Sequence, residues 1–139
     1  MKMKRLISLV SAVICLFMLS IPASALEYRA SDQISMHGIT VTPASNTLSV
    51  RFSVSGSGVM DKIGCESIYV YEKSGSRWTL AESWDEDDPG MSRYNSYSQM
   101  NTILCDGEAG VDYKVVVTVF AENSDGRDTR SKTVYVTGK

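Results

Sequence analysis

Residues 47–55, TLSVRFSVS, alternate without a break. Leu48, Val50, Phe52 and Val54 point one way, and Ser49, Arg51, Ser53 and Ser55 the other. Period two marks a strand with one buried and one wet face. Burying four such side chains is worth roughly 6–12 kcal/mol before the entropy of ordering is subtracted. Gly56-Ser57-Gly58 is expected to end this strand. SIYVYEK at 67–73 is β-branched and aromatic, and Ser74-Gly75-Ser76 turns it into RWTLAESW at 77–84, a predicted hairpin. YKVVVTVFAEN at 113–123 alternates again, and Asn123-Ser124-Asp125-Gly126 turns it into RSKTVYVT at 130–137. An N-terminal strand is expected near 34–42 and a weaker one within 92–103. Helical periodicity is missing throughout this part of the chain. Short strands separated by turn signals predict an all-β fold, an antiparallel two-sheet sandwich of about seven strands.

The first 25 residues follow a different logic. Lys2, Lys4 and Arg5 precede an apolar run from Leu6 to Leu19, and Pro22 precedes the small residues Ala23-Ser24-Ala25. This is the grammar of a cleaved export signal, and the run is short for a membrane span of about 20 residues. Residues 1–25 are therefore expected to be a signal peptide, and residues 26–139 a single secreted, extracellular β-sandwich domain with no membrane association after cleavage. Cys15 would leave with the signal. Removing three cations while keeping all 16 acids takes the formal net charge from −2 to −5. Nucleic acid is not an expected partner, because its phosphates call for a basic face.

Two cysteines remain, Cys65 and Cys105. An even pair in an exported chain predicts an intramolecular disulfide, with a reduced pair or an intermolecular bridge as alternatives. Closing a loop of about 40 residues would stabilise the chain by roughly 4 kcal/mol.

The segment DYKVVVTVFAENSDGRDTRSKTVYVT resembles the last hairpin of a fibronectin type III domain. In that family a tyrosine opens the sixth strand, apolar residues alternate up to Ala-x-Asn, and a glycine turn leads into the last strand. Tyr113, Ala121, Asn123 and Gly126 occupy those positions. Phe52 stands where the family usually has tryptophan, and Gly107 where it has leucine. The resemblance implies a fibronectin III or immunoglobulin-like sandwich with Tyr113 buried and its hydroxyl bonded to backbone upstream. VMDKIGCESIYVYEKSGSRW is also similar to small uncharacterised secreted proteins of Gram-positive bacteria, a likeness that implies no activity.

The candidate chemistry is sparse. His37 is the single histidine, whereas a catalytic zinc site needs three protein ligands. No G-x-S-x-G elbow, phosphate loop or dinucleotide fingerprint occurs. Asp85-Glu86-Asp87-Asp88 ends in Pro-Gly, which is turn grammar. It lacks the spacing of a D-x-[DN]-x-[DN]-G calcium loop, so a solvated turn is the simpler expectation and a calcium site the sharper one. No catalytic residue, metal or cofactor is expected.

Alternation does predict a candidate binding face. With Tyr113, Val115, Val117 and Val119 inward, Lys114, Val116, Thr118, Phe120 and Glu122 point outward. The same parity places Ile68 and Val70 inward, with Tyr69 and Tyr71 outward, and leaves Tyr135 outside on the last strand. In a fibronectin-like topology these strands are neighbours, so Tyr69, Tyr71, Val116, Phe120 and Tyr135 would share one outer face. Such a face suits a protein or glycan ligand. Residues 26–33, or the 77–84 strand with Trp78 and Trp84, are the alternative occupants, as cover. The expected function is thus a secreted module that binds a protein or glycan without catalysis. The alternative is a secreted hydrolase, or an accessory domain of one, acting on cell-surface polysaccharide, which would need two carboxylates facing across a sugar.

Overall fold

The computed structural model describes residues 33–139. The expected signal peptide, residues 1–25, lies outside the described residues. Six strands run in chain order: β1 (Ile34–Ala44), β2 (Thr47–Ser74), β3 (Arg77–Asp85), β4 (Ser92–Asp106), β5 (Asp112–Asn123) and β6 (Gly126–Thr137). All pairings are antiparallel. The fold is all-β, a six-stranded antiparallel sheet curled into a half-barrel.

The central path is β1–β2–β5–β6, with β3 and β4 also paired to β2. β2 makes this possible because it is 28 residues long. Its first half, through Ser55, lies between β1 and β4. Its second half, from Ser67, lies between β3 and β5. The second and third expected strands are therefore one strand, and six replace about seven.

The Gly56-Ser57-Gly58 signal was expected to stop the strand. It instead marks a bulge, where the register against β4 slips between Ser55 and Met60. Extra residues on one strand bow outward and sharpen the local bend. A Cβ on Gly56 would come within 2.7 Å of Met60 Cγ and 2.8 Å of the Gly58 carbonyl, so glycine lets buried Met60 fold beneath the bulge. A second slip against β5, between Cys65 and Ser67, adds to the curl. The two ends of β2 consequently approach the same region. The Gly107 amide donates to Asn46 O, next to Thr47, while Tyr113 pairs with Glu72 and its hydroxyl accepts the Glu108 amide at 2.7 Å. Tyr113 is buried as the resemblance implied, and its bond reaches backbone five residues upstream.

The concave side holds the core. Leu48, Val50, Phe52 and Val54 are buried from the first half of β2, and Ile68 and Val70 from the second. Val115, Val117 and Val119 meet them from β5. Each such side chain contributes about 1.5–3 kcal/mol on burial. The open edges are tied by polar groups. Between β1 and β6, Lys132 Nζ donates to Ile39 O at 3.1 Å, and the Ile34 amide donates to Asp128 at 3.3 Å. Between β3 and β4, Glu82 accepts the Asp106 amide at 3.2 Å.

The expected disulfide is not formed. Cys65 and Cys105 are both buried free thiols. Cys65 sits opposite Val119, with its sulfur 3.3 Å from Thr118 O. Cys105 sits opposite Leu48 on β4 and lies beside Glu82 and Trp84. Those two residues pair with Val70 and Ile68. Each thiol is thus surrounded by a different set of strands, Cys65 by β5 and Cys105 by β2 and β3, and no bond joins them. Parity and compartment carry no register, and register decides. Burial pushes the Cys65 thiol up to about 12, and burial with Glu82 alongside raises Cys105 too, so both are poor nucleophiles. We expect native protein of residues 26–139 to resist thiol reagents, and the same protein unfolded without reductant to titrate two thiols per chain. An oxidised pair released only by reductant would contradict this register.

Candidate functional site

Three strands bring the outer aromatic side chains into rows. Tyr71 pairs with Lys114, which pairs with Tyr135. One row along, Tyr69 pairs with Val116, which pairs with Thr133. Ile68 and Val70 are fully buried, so the third predicted strand has the expected parity. Tyr135 is 65% exposed and Tyr69 40%, while Tyr71 and Val116 are half-buried.

Phe120 does not join them. It is fully buried although it stands on the outer side of β5. Its partner on β2 is Gly64, which has no side chain, because a Cβ there would meet the backbone of Met91 and Ser92. Arg127 lies over the Phe120 ring, with its guanidinium carbon 4.1 Å from the centroid. Glu66, Glu86 and Glu122 hold that guanidinium at 2.9–3.3 Å. Alternation predicts the face a residue takes and is silent about what covers it.

The same cluster absorbs the acidic turn. Lys62 contacts Glu86 at 2.8 Å and Asp87 at 2.9 Å. Asp88 accepts the Asp85 amide and Asp85 accepts the Asp87 amide, both at 2.8 Å. Residues 85–88 thus form a turn whose carboxylates bind cationic side chains and their own backbone. The Arg127 guanidinium, aided by Lys62, holds the Glu86 carboxyl below the usual carboxylate range. In return Glu86 raises both Lys62 and Arg127.

β3 supplies what parity alone did not place. A bulge between Val70 and Tyr71 shifts its register. Before the bulge, Trp78 pairs with Lys73 and Leu80 with Tyr71, so both join the outer aromatic face. Beyond it, Glu82 pairs with Val70 and Trp84 with Ile68, and Trp84 packs on the core. Two tryptophans six residues apart therefore serve opposite faces. β3 is an edge strand beside the face, and its Trp78 side chain reaches across β2 and β5 toward Tyr135 on β6, covering part of it; residues 26–32, the other candidate cover, lie outside the described residues. Trp78 and Tyr135 rings stand 5.8 Å apart at 55°. Lys114 Nζ lies 4.7 Å from the Tyr71 centroid and 5.4 Å from that of Trp78. Lys73 Nζ lies 5.9 Å from the Trp78 centroid. A groove of about 310 Å³ opens there, lined by Lys73, Trp78, Asp112, Tyr135, Val136 and Thr137 among others. The alternating tyrosines carried the sequence signal for this site; the bulge that recruits Trp78 left none.

A second groove, of about 380 Å³, is lined by Glu72, Glu82, Asp106 and Glu108 with Asn46 and Tyr113. Glu82 is committed within it, since one oxygen accepts Trp84 Nε1 at 2.7 Å and the other the Asp106 amide. Exposed His37 lies on β1, and among the described residues no three His, Cys, Asp or Glu side chains are grouped to hold a metal.

No family model matches the chain, and no curated protein matches it. Among solved structures it is similar to the solution structure of a late embryogenesis abundant (LEA) protein, at 14% identity and a TM-score of 0.38, over 97% of this chain and 87% of that one. At that distance the likeness carries nothing about the site.

The ion cluster makes a pH prediction. Because Glu86 titrates lower when folded than its unfolded value of about 4.3, its bonds stabilise the protein above that pH. The contribution fades as pH falls through the folded value. Glu86→Gln should lose about 1–2 kcal/mol at pH 7 in urea unfolding, the scale of charge-assisted bonds in a partly exposed pair. The difference from wild type should shrink as pH falls below the unfolded value of about 4.3. A pH-independent difference would contradict the ion-pair origin.

Proposed function

We propose that this chain is an exported binding module that captures a protein or glycan through the outer face of β3, β2, β5 and β6, without catalysis. The observation that carries the reading is the row Leu80–Tyr71–Lys114–Tyr135 with Trp78 beside it. Exposed aromatic side chains grouped on a rigid sheet are what stacking on sugars or anchoring a protein partner requires. Elsewhere on the same face, Phe120 is sealed by Arg127, whereas Tyr69 and Tyr135 stay accessible. Export is supported by the sequence of residues 1–25, and buried unpaired thiols do not weigh against it.

The architecture belongs to the same proposal. If the bulge in β2 is treated as a corner, β1, the first half of β2 and β4 form one layer. β3, the second half of β2, β5 and β6 form the other. That connectivity, with the Tyr113 hydroxyl bond, supports a seven-strand sandwich of fibronectin III type.

The hydrolase alternative draws on the groove of Glu72, Glu82, Asp106 and Glu108. It is the weaker reading, because Glu82, between the other three, spends both oxygens on structural bonds.

Probing glycan and protein arrays with the purified chain tests the proposal. Capture should be lost in the double variant Tyr71→Ser, Tyr135→Ser, with a melting temperature within a few degrees of wild type. Capture that survives the double substitution would remove the face from the function.

A further inference from the structure

We infer that the ligand of the aromatic face is an anionic saccharide, a sugar chain bearing carboxylate, sulfate or phosphate, engaged by Lys73 and Lys114 between the rings of Tyr71, Trp78 and Tyr135. This rests on the binding reading above and narrows its ligand class.

The first ground is charge. Lys62 and Arg127 each have several carboxylate partners. Among the described residues Lys73 and Lys114 have none, and their recorded contacts are aromatic rings. Both ammonium groups lie within 6 Å of the Trp78 ring. The chain as a whole is acidic, at −2. Two unneutralised cations at one spot of an acidic surface attract an anion locally while the rest of the protein repels it. Asp112, the one carboxylate lining the groove, accepts a 2.7 Å bond from Thr137 Oγ1.

The second ground is shape. The groove of about 310 Å³ sits at the lower end of small-ligand clefts. Lys73, Trp78 and Tyr135 belong to its lining, and Lys114 and Tyr71 adjoin it, with Lys114 Nζ 5.4 Å from the Trp78 centroid and 4.7 Å from that of Tyr71. Thr137 and Asp112 bring hydroxyl and carboxylate oxygens to its lining. Aromatic walls suit the C–H face of a sugar ring, the polar lining suits its hydroxyls, and the ammonium groups suit an acidic substituent. A charged hydrogen bond from Lys114 would then form on binding, and it is the strong kind.

The test is titration of the purified chain, followed by Trp fluorescence, with polygalacturonate, dextran sulfate and dextran phosphate. Fully methyl-esterified polygalacturonate and polyglutamate serve as comparators. At least one polyanionic probe should bind, more weakly as salt rises, and the neutral ester at least tenfold more weakly than polygalacturonate if carboxylate is the group recognised. Lys114→Gln should weaken binding about tenfold, the scale of one charge-assisted bond. Arg93→Gln, on β4, should leave it unchanged. If the neutral ester binds as tightly as every polyanion, the face still captures sugar, but the anionic assignment is overturned. Polyglutamate binding as tightly as the sugars overturns the saccharide class. Polyanion binding unmoved by both Lys114→Gln and Tyr71→Ser overturns the assignment and the face together. Failure of all three polyanions to bind overturns the inference, while capture on the arrays decides separately whether the face binds anything.

Discussion

A single long strand that pairs on both sides over most of its length constrains everything else in this protein. β2 carries 28 residues and pairs with four others. Buried backbone amides and carbonyls need partners, so β2 interrupts its ladders where its backbone reaches the surface, at residues 56–59. It bends by bulging, with extra residues at Gly56–Val59 and again near Glu66. The bulges bring its apolar positions from both halves, Leu48 to Val54 and Ile63 to Val70, onto one concave core.

The bends divide the outer surface into two chemically distinct regions. Near Gly64 the missing side chain leaves a gap that Phe120 fills, and Arg127 with its three glutamates seals it. Further along, Tyr69, Tyr71 and Tyr135 meet Trp78 with lysines as their cationic neighbours. In the first region cations and carboxylates satisfy one another, and the aromatic ring disappears. In the second the cations rest on rings and retain their capacity for an external anion. The contrast arises within one sheet face, so it reflects local partner supply and not general exposure.

Much of the strand layout was legible because alternation is a strong signal. The parity of Leu48–Val54, Ile68–Val70 and Val115–Val119 is as expected, and so is the Tyr113 hydroxyl bond. What escaped detection were long-range matters. A glycine pair reads locally as a terminator, and only the pairing of residues on either side with β4 makes it a bulge. Two cysteines read as a bridge until register separates them. Phe120 reads as exposed until Arg127, seven residues on, turns over it. Trp78 reads as cover for the face, and a one-residue bulge in β3 sends it across toward Tyr135 while Trp84 turns to the core. In each case the missing information is a partner distant in sequence or a slip of one residue, which reverses every side chain beyond it.

The central claim is that ligand recognition resides on the outer face of β2, β3, β5 and β6, and the most direct measurement is residue-resolved NMR chemical-shift mapping with the captured ligand. The account predicts perturbations confined to the amides of Tyr69, Tyr71, Lys73, Trp78, Lys114, Val116 and Tyr135, with the indole of Trp78 among the largest. Shifts centred instead on Glu72, Glu82, Asp106 and Glu108 would contradict it and move the function to the acidic groove.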